Sequence, residues 1–382
     1  MKALRRFLDE QKPKFQRGGK FGALQSTFNG IESFLFVPKH TTKSGSHLRD
    51  SIDLKRTMSV VVIALVPALL FGMYNVGYQH FLSLSELASQ SFFGIFWYGL
   101  LKVLPIIIVS YVVGLGIEFF VAQKRGHEIN EGFLVSGLLI PMIMPVDAPL
   151  WMVAVATAFA VIIGKEVFGG TGMNIWNPAL LARAFFFFAY PSKMSGDSVW
   201  IADKADAFSG ATPLAEAAAG HMSNIPSFAD MFMGFIPGSI GETSTLAILI
   251  GAAILVITGI GSWRIMLSVF AGGLFMGLIL NAFAVNTFME LPAWNHLVMG
   301  GFAFGAVFMA TDPVTASQTR CGKYIYGVLV GVMAVLIRVL NPAYPEGMML
   351  AILLMNTFAP LIDHFVVQSN VKRRLKRATL NA

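Results

Sequence analysis

One cysteine, Cys321, is the only thiol in 382 residues. That excludes an internal disulfide and any iron–sulfur or zinc site held by cysteines of this chain alone. Histidine is scarce too: the seven residues fall mostly in loops or near the ends of apolar stretches, with no pair inside a span to ligate haem. Charge is the next shortage. Only 13% of residues are charged against 55% hydrophobic, and the mean hydropathy is +0.66. Such a composition excludes an ordinary soluble domain and identifies an integral membrane protein. The opening "MKALRRFLDEQKPKFQRGGK" lacks the apolar core and small-residue cleavage site of a secretory signal, so it is expected to stay on the protein.

Phe (33), Met (20) and Gly (37) are abundant, as suits helices packed closely in lipid. Windows of about 20 apolar residues fall near 57–77, 98–122, 132–146, 149–168, 178–191, 243–261, 264–284, 297–310, 324–340 and 347–367. The expected fold is therefore all-α, with about ten transmembrane helices. The third, fifth and eighth windows are short, and Pro and Gly clusters beside two of them suggest broken or re-entrant helices. The expected divisions are a basic N-terminal segment (1–56), a first membrane unit (57–191), a polar loop (192–242), a second unit (243–367) and a basic tail (368–382).

Orientation follows from the positive-inside rule. "LRRF", "KRGH", "GSWR", "CGK" and "KRRLKR" share one side if both termini are cytoplasmic, which leaves the 192–242 loop extracytoplasmic. The net charge of +7, concentrated in such clusters, fits contact with the inner leaflet of the bilayer and not nucleic acid.

The two membrane units carry matching strings. "EGFLVSGLLIPMIMPVDAPL" and "GGFAFGAVFMATDPVTASQ" both contain Gly-Phe, a second Gly and a closing Pro-Val-X-Ala, and Asn177-Pro178-Ala179 recurs as Asn341-Pro342-Ala343. Five spans per unit, an odd number, would invert the second copy relative to the first. Each Asn-Pro-Ala also reads simply as an N-cap followed by proline at the first helical position. "KEVFGGTGMNIWNPAL" adds Gly169, Gly170, Thr171, Gly172 and Asn174 before a helix start, a cradle suited to a flat hydrogen-bonding ligand.

In the polar loop, "DAFSGATPLAEAAAG" predicts a helix capped by Thr212, opened by Pro213 and stopped by Gly220. Ionisable residues inside or beside the spans are Lys102, Glu118, Lys165, Glu166, Arg183, Asp312, Arg338 and Asp363. Lys165 suits snorkelling, Asp312 suits capping a half-helix, and Glu166 is a candidate partner for Arg183. Glu118 and Asp363 read either as members of ion pairs or as carboxylates that attract a cation. Composition and topology alone equally fit an inverted-repeat channel or secondary transporter without a redox cofactor.

The strings "SHLRDSIDLKRTM", "NEGFLVSGLLIP", "KEVFGGTGMNIWNPAL", "FFAYPSKMSGD", "SGATPLA", "FIPGSIGETSTLA", "GGFAFGAVFMATDPVTAS" and "RVLNPAYPEGMMLAILLMNTFAPLIDH" cover nearly the whole chain in order. Together they resemble the B subunit of the sodium-translocating NADH:quinone oxidoreductase of the bacterial inner membrane. The D subunit of the Rnf-type ferredoxin:NAD oxidoreductase shares the threonine motif. The long basic segment before the first span sides with the sodium pump.

The resemblance implies FMN attached through a phosphoester to Thr212, and a riboflavin within the membrane at Thr171, Asn174 and Asn177, with Thr311 and Asp312 as weaker candidates. It implies a quinone-binding Gly-Gly pair at Gly114 and Leu115, where the leucine departs from the pattern and leaves Gly114 as the carry-over. It also implies a sodium path through Glu118 and Asp363 with an aromatic constriction at Phe304 and Phe308. NADH oxidation with its FAD, the iron–sulfur centres and a second FMN would then belong to partner subunits. This chain has neither the cysteines nor a dinucleotide fingerprint in a strand–turn–helix context.

Overall fold

The computed structural model describes residues 2–16, 19–22, 25–36, 42–48, 54–126, 132–194, 196–205, 208–341 and 346–380. Among these residues no strand occurs. The α-helices are α1 (Lys2–Phe15), α2 (Gln25–Leu35), α3 (Leu54–Ser83), α4 (Phe92–Arg125), α5 (Phe133–Met142), α6 (Leu150–Val161), α7 (Pro178–Ala189) and α8 (Pro213–Ala218). They continue with α9 (Phe228–Met233), α10 (Thr245–Ile257), α11 (Trp263–Phe283), α12 (Asn295–Val298), α13 (Phe302–Phe304), α14 (Arg320–Leu340) and α15 (Met348–Leu380). Two π-helical turns, Ile162–Glu166 and Gly305–Met309, extend α6 and α13.

Every apolar window of the sequence becomes helical, but the helix lengths do not yield ten full spans. Five described helices, α3, α4, α11, α14 and α15, are long and apolar enough to cross a membrane. Three of the others stop short where the chain supplies breakers: Pro141, Pro145 and Pro149 around α5, Pro178 opening α7, and Gly300, Gly301 and Pro313 around α13. The basic tail is not a separate element. No Gly or Pro follows Pro360 before residue 380, and α15 runs on through the "VKRRLKR" cluster. Of the second Asn-Pro-Ala, Pro342 and Ala343 lie outside the described residues, as does Asp206 of the polar loop.

Outward faces are apolar: Phe93, Trp97, Leu101, Ile108, Val112 and Phe120 line the exposed side of α4. That pattern suits a lipid environment or a partner protein. Inward, close helix approach rests on glycine. A Cβ at Gly99 of α4 would fall on the carbonyl of Met73 in α3. On α14, Gly327 and Gly331 stand four apart against α11, and a Cβ at Gly331 would land on the Val269 carbonyl and the Gly273 amide.

Gly331→Ala is expected to push α11 and α14 apart and destabilise the protein by about 1–3 kcal/mol, the usual range for overpacking. The measurement is the thermal unfolding midpoint in detergent. A midpoint equal to that of the wild type would show that α11 tolerates the methyl group.

Candidate functional sites

Two cavities border α7, one at its middle and one at its start. The first, about 420 Å³, opens on the side of the 192–242 segment. Thr212 stands at its edge as the N-cap of α8, extended at φ −76° and ψ 156°, and its hydroxyl accepts from the Ala215 amide at 3.2 Å. The helix start anticipated from "SGATP" is therefore present. Met194, Trp200, Leu214 and Ile236 supply apolar wall.

Polar groups also line this cavity, and they differ from the sequence-level pairing. Arg183 does not meet Glu166. It donates from Nη1 to Glu242 at 2.7 Å and from Nη2 to Glu346 at 2.5 Å and Ser239 at 3.2 Å. Glu166 instead faces Arg125, at 3.5 Å. The reason is position: Arg183 lies almost two turns into α7, close to the starts of α10 and α15, whereas Glu166 ends the π turn at the other end of the bundle. Gly301 makes room for the carboxylates, and Gly300 beside it makes room for Leu214. Gly300 holds φ +59°, and a Cβ on Gly301 would touch both glutamate side chains. In the sequence Arg183 stands out as a charge inside a span. Glu242 reads there only as a loop acid and Glu346 escapes notice, though both precede apolar helices.

The second cavity, about 100 Å³, gathers all five residues expected to hold riboflavin: Thr171, Asn174, Asn177, Thr311 and Asp312. Most of their polar atoms are already engaged. Asn177 caps α7 by accepting from the Ala179 and Leu180 amides, and its amide donates to Asp312 at 3.3 Å. Asp312 also accepts from the Val314 amide at 3.0 Å and the Thr315 hydroxyl at 3.1 Å. Asn174 donates to the Trp176 carbonyl at 3.0 Å, and the Thr311 hydroxyl to that of Val307 at 2.5 Å.

The donors and acceptors suit a flavin ring, but the volume is below the roughly 300 Å³ of pockets that enclose ligands of that size. Side chains such as Met58 and Phe308, both in the lining, must move to admit one.

Three segments join the cavities. Helix α7 runs from Asn177 at the second to Arg183 at the first, six residues or about 9 Å at helical rise. Helix α10 leads from Glu242 and Thr243, just before its start, to Leu255, and the chain from Gly300 to Val314 makes the same passage. Phe304 and Phe308 lie on that last segment with ring centroids 5.1 Å apart.

The remaining expected residues border neither cavity. Gly114 lies under the ring of Phe133, which occupies the space a Cβ would need. Glu118, one turn further along α4, forms a buried ion pair with Lys165. Lys165 therefore does not snorkel; it points inward, 5.9 Å from the Phe133 ring, and also lines the second cavity. Asp363 accepts from the Ser317 hydroxyl (2.7 Å), the Gln318 amide (2.7 Å), the Thr319 amide (3.0 Å) and the Thr319 hydroxyl (2.6 Å), beside the cap of α14.

The segment leading to Thr212 is fastened to the bundle at Asp203. Lys102 (2.6 Å) and the Tyr98 hydroxyl (2.8 Å) hold this carboxylate, and their bonds keep its pKa below the usual range. His80 donates to the Ala202 carbonyl at 2.9 Å and stacks on Tyr98.

Residues 41–372 match the model of the NQR2, RnfD, RnfE family. A protein of Chromohalobacter salexigens, named as the B subunit of a Na(+)-translocating NADH-quinone reductase, is 50% identical, spanning 98% of this chain and 96% of that relative. Relatives of the same name from Ectopseudomonas mendocina and Pseudomonas aeruginosa are 50% and 47% identical, each spanning 98% of this chain and 99% of the relative. The chain belongs to this family.

Arg183→Gln is expected to cost about 3–5 kcal/mol, since it leaves two largely buried carboxylates without their shared cation. Arg183→Lys should rescue only part, because one ammonium cannot reproduce the planar fork. Folded yield and thermal midpoint of the two variants decide it, and wild-type values for Arg183→Gln would refute the assignment.

Proposed function

We propose that this chain is the membrane subunit of a sodium-pumping NADH:quinone reductase of the bacterial inner membrane. In this reading it carries FMN esterified to Thr212 on the extracytoplasmic side and riboflavin at the second cavity. Electrons pass through the subunit to quinone, and sodium transport is coupled to their passage.

The carrying observation is the position of the Thr212 hydroxyl: half-buried, at a helix start, on the edge of a cavity large enough for a flavin. The names of the relatives support a role in a sodium-translocating NADH–quinone reductase. Flavins would supply the redox chemistry; the chain supplies distance, orientation and polarity.

In that division of labour, Thr212 offers the oxygen for the phosphoester, and its cap bond to Ala215 holds that oxygen in place. Met194, Trp200 and Ile236 offer apolar surface to a ring and exclude water. Arg183 holds the Glu242 and Glu346 carboxylates in place in the wall of the same cavity. At the second cavity, Asn174, Asn177 and Thr171 offer amide and hydroxyl groups, with Thr311 and Asp312 facing them from the other half of the chain. The proposed sodium path uses Glu118, the Phe304–Phe308 constriction and Asp363, whose turn presents a carboxylate and two hydroxyls. Gly114 is retained as the quinone-side residue, acting through the seat it gives Phe133.

Wild-type protein made with its flavin transferase is expected to fluoresce under ultraviolet light on a denaturing gel, and Thr212→Ala to be dark. A dark wild-type band is what a cofactor-free transporter would give, and it would overturn the covalent-flavin reading. Quinone reductase activity of the purified complex is expected to rise with sodium concentration; no dependence would count against the ion assignment.

A further inference from the structure

The Glu118–Lys165 pair is buried on both sides, with Glu118 5% and Lys165 3% exposed. A buried carboxylate needs a cation, and here it is an ammonium at the end of a flexible four-carbon stem. Lys165 sits in the π turn Ile162–Glu166 that ends α6, and such turns interrupt a helix frequently at functional sites. Its neighbour Glu166 points to Arg125 instead, so adjacent residues of one turn make opposite ion pairs with the same helix, α4. Lys165 also lines the second cavity, beside Thr171 and Asn174. The ammonium thus has two places to be: on Glu118, or turned into that cavity.

We propose that Lys165 is a tethered counter-cation that sodium displaces from Glu118, the freed ammonium moving into the second cavity. This inference rests on the reading of Glu118 as part of the sodium path. A buried carboxylate that must accept Na⁺ and release it cannot stand empty in an apolar bundle between the two events, and an ammonium on a flexible stem fills the interval. Exchange of one monovalent cation for another leaves the net charge at Glu118 unchanged. What changes is the second cavity, which gains a positive charge each time sodium binds. Negative charge arriving in that cavity would favour the displaced position of Lys165 and thereby favour sodium at Glu118, which links ion occupancy to electron occupancy through one side chain.

The test is the apparent KM for Na⁺ in quinone reductase activity of the assembled complex, compared for wild type, Lys165→Gln, Lys165→Arg and Glu118→Gln. Removing the competing ammonium in Lys165→Gln is expected to lower KM by roughly tenfold, the scale of coupling between close charge pairs. Lys165→Arg keeps the charge and grips a carboxylate through two bonds, so KM is expected to rise. A purely structural lysine would make both variants err in the same direction, and KM shifting the same way in both, or in neither, overturns the exchange. Retention of gel fluorescence in each variant shows that the subunit has folded and been modified. If Lys165→Gln does not assemble, a KM for Lys165→Arg at or below the wild-type value overturns the proposal by itself. Glu118→Gln separates the premises: an unchanged KM there would remove sodium from Glu118 altogether, whereas a raised KM with no opposite shifts at Lys165 would remove only the counter-cation role.

Discussion

Arg183 places a full positive charge inside an apolar bundle, and segments distant in sequence converge to neutralise it. Glu242 comes from the end of the polar loop, Glu346 from the approach to α15, and Ser239 from the turn just before Glu242. An isolated buried guanidinium would be intolerable, so these segments have little freedom to sit elsewhere. The consequence is architectural: α7, α10 and α15 start or pass at one place, and the cavity beside Thr212 forms where they meet. Gly301 completes the arrangement because a larger residue there would occupy the space the carboxylates need.

Much of this is legible in the sequence where the signal is local. The Thr212-Pro213 cap, the Asn177-Pro178 helix start and the shortness of α5, α7 and α13 all follow from cap chemistry and breakers within a few residues. Partnerships are not legible, because they depend on which helix ends meet in space. Arg183 is visible as a charge, but the nearer Glu166 is a false match for it. Lys165 reads as a residue that reaches outward to solvent, whereas Glu118, 47 positions earlier, holds it inside. Glu346 carries a signal of its own, an acid just before an apolar run, but nothing local says which cation it serves. Helix length is overread as well. The windows at 149–168 and 243–261 read as full spans, but α6 gives way to a π turn at Ile162 and α10 ends at Ile257.

The second cavity shows the same logic from the opposite direction. Chain that turns within a membrane protein must satisfy its backbone groups internally. Asn177 does so for the start of α7, and Asp312 does so for the turn after the Gly305–Met309 π segment. The two also bond to each other, so one contact ties the first half of the chain to the second. Residues that make a turn inside the bundle possible are therefore the polar residues lining the space the turn leaves.

That coincidence has an energetic consequence for any ligand there. The Asn177 carbonyl oxygen is committed to the cap, and leaving those amides unpaired would cost about 1 kcal/mol or more. Its amide group is bound more weakly, by a single 3.3 Å contact to Asp312. A hydrogen-bonding ring would thus take over the Asn177–Asp312 contact while sparing the cap, and α7 would keep its start. Because that contact also bridges the two halves, a ligand inserted there replaces a direct link with one through itself. Both halves of the chain would then meet the ligand, as would Lys165, which shares the lining.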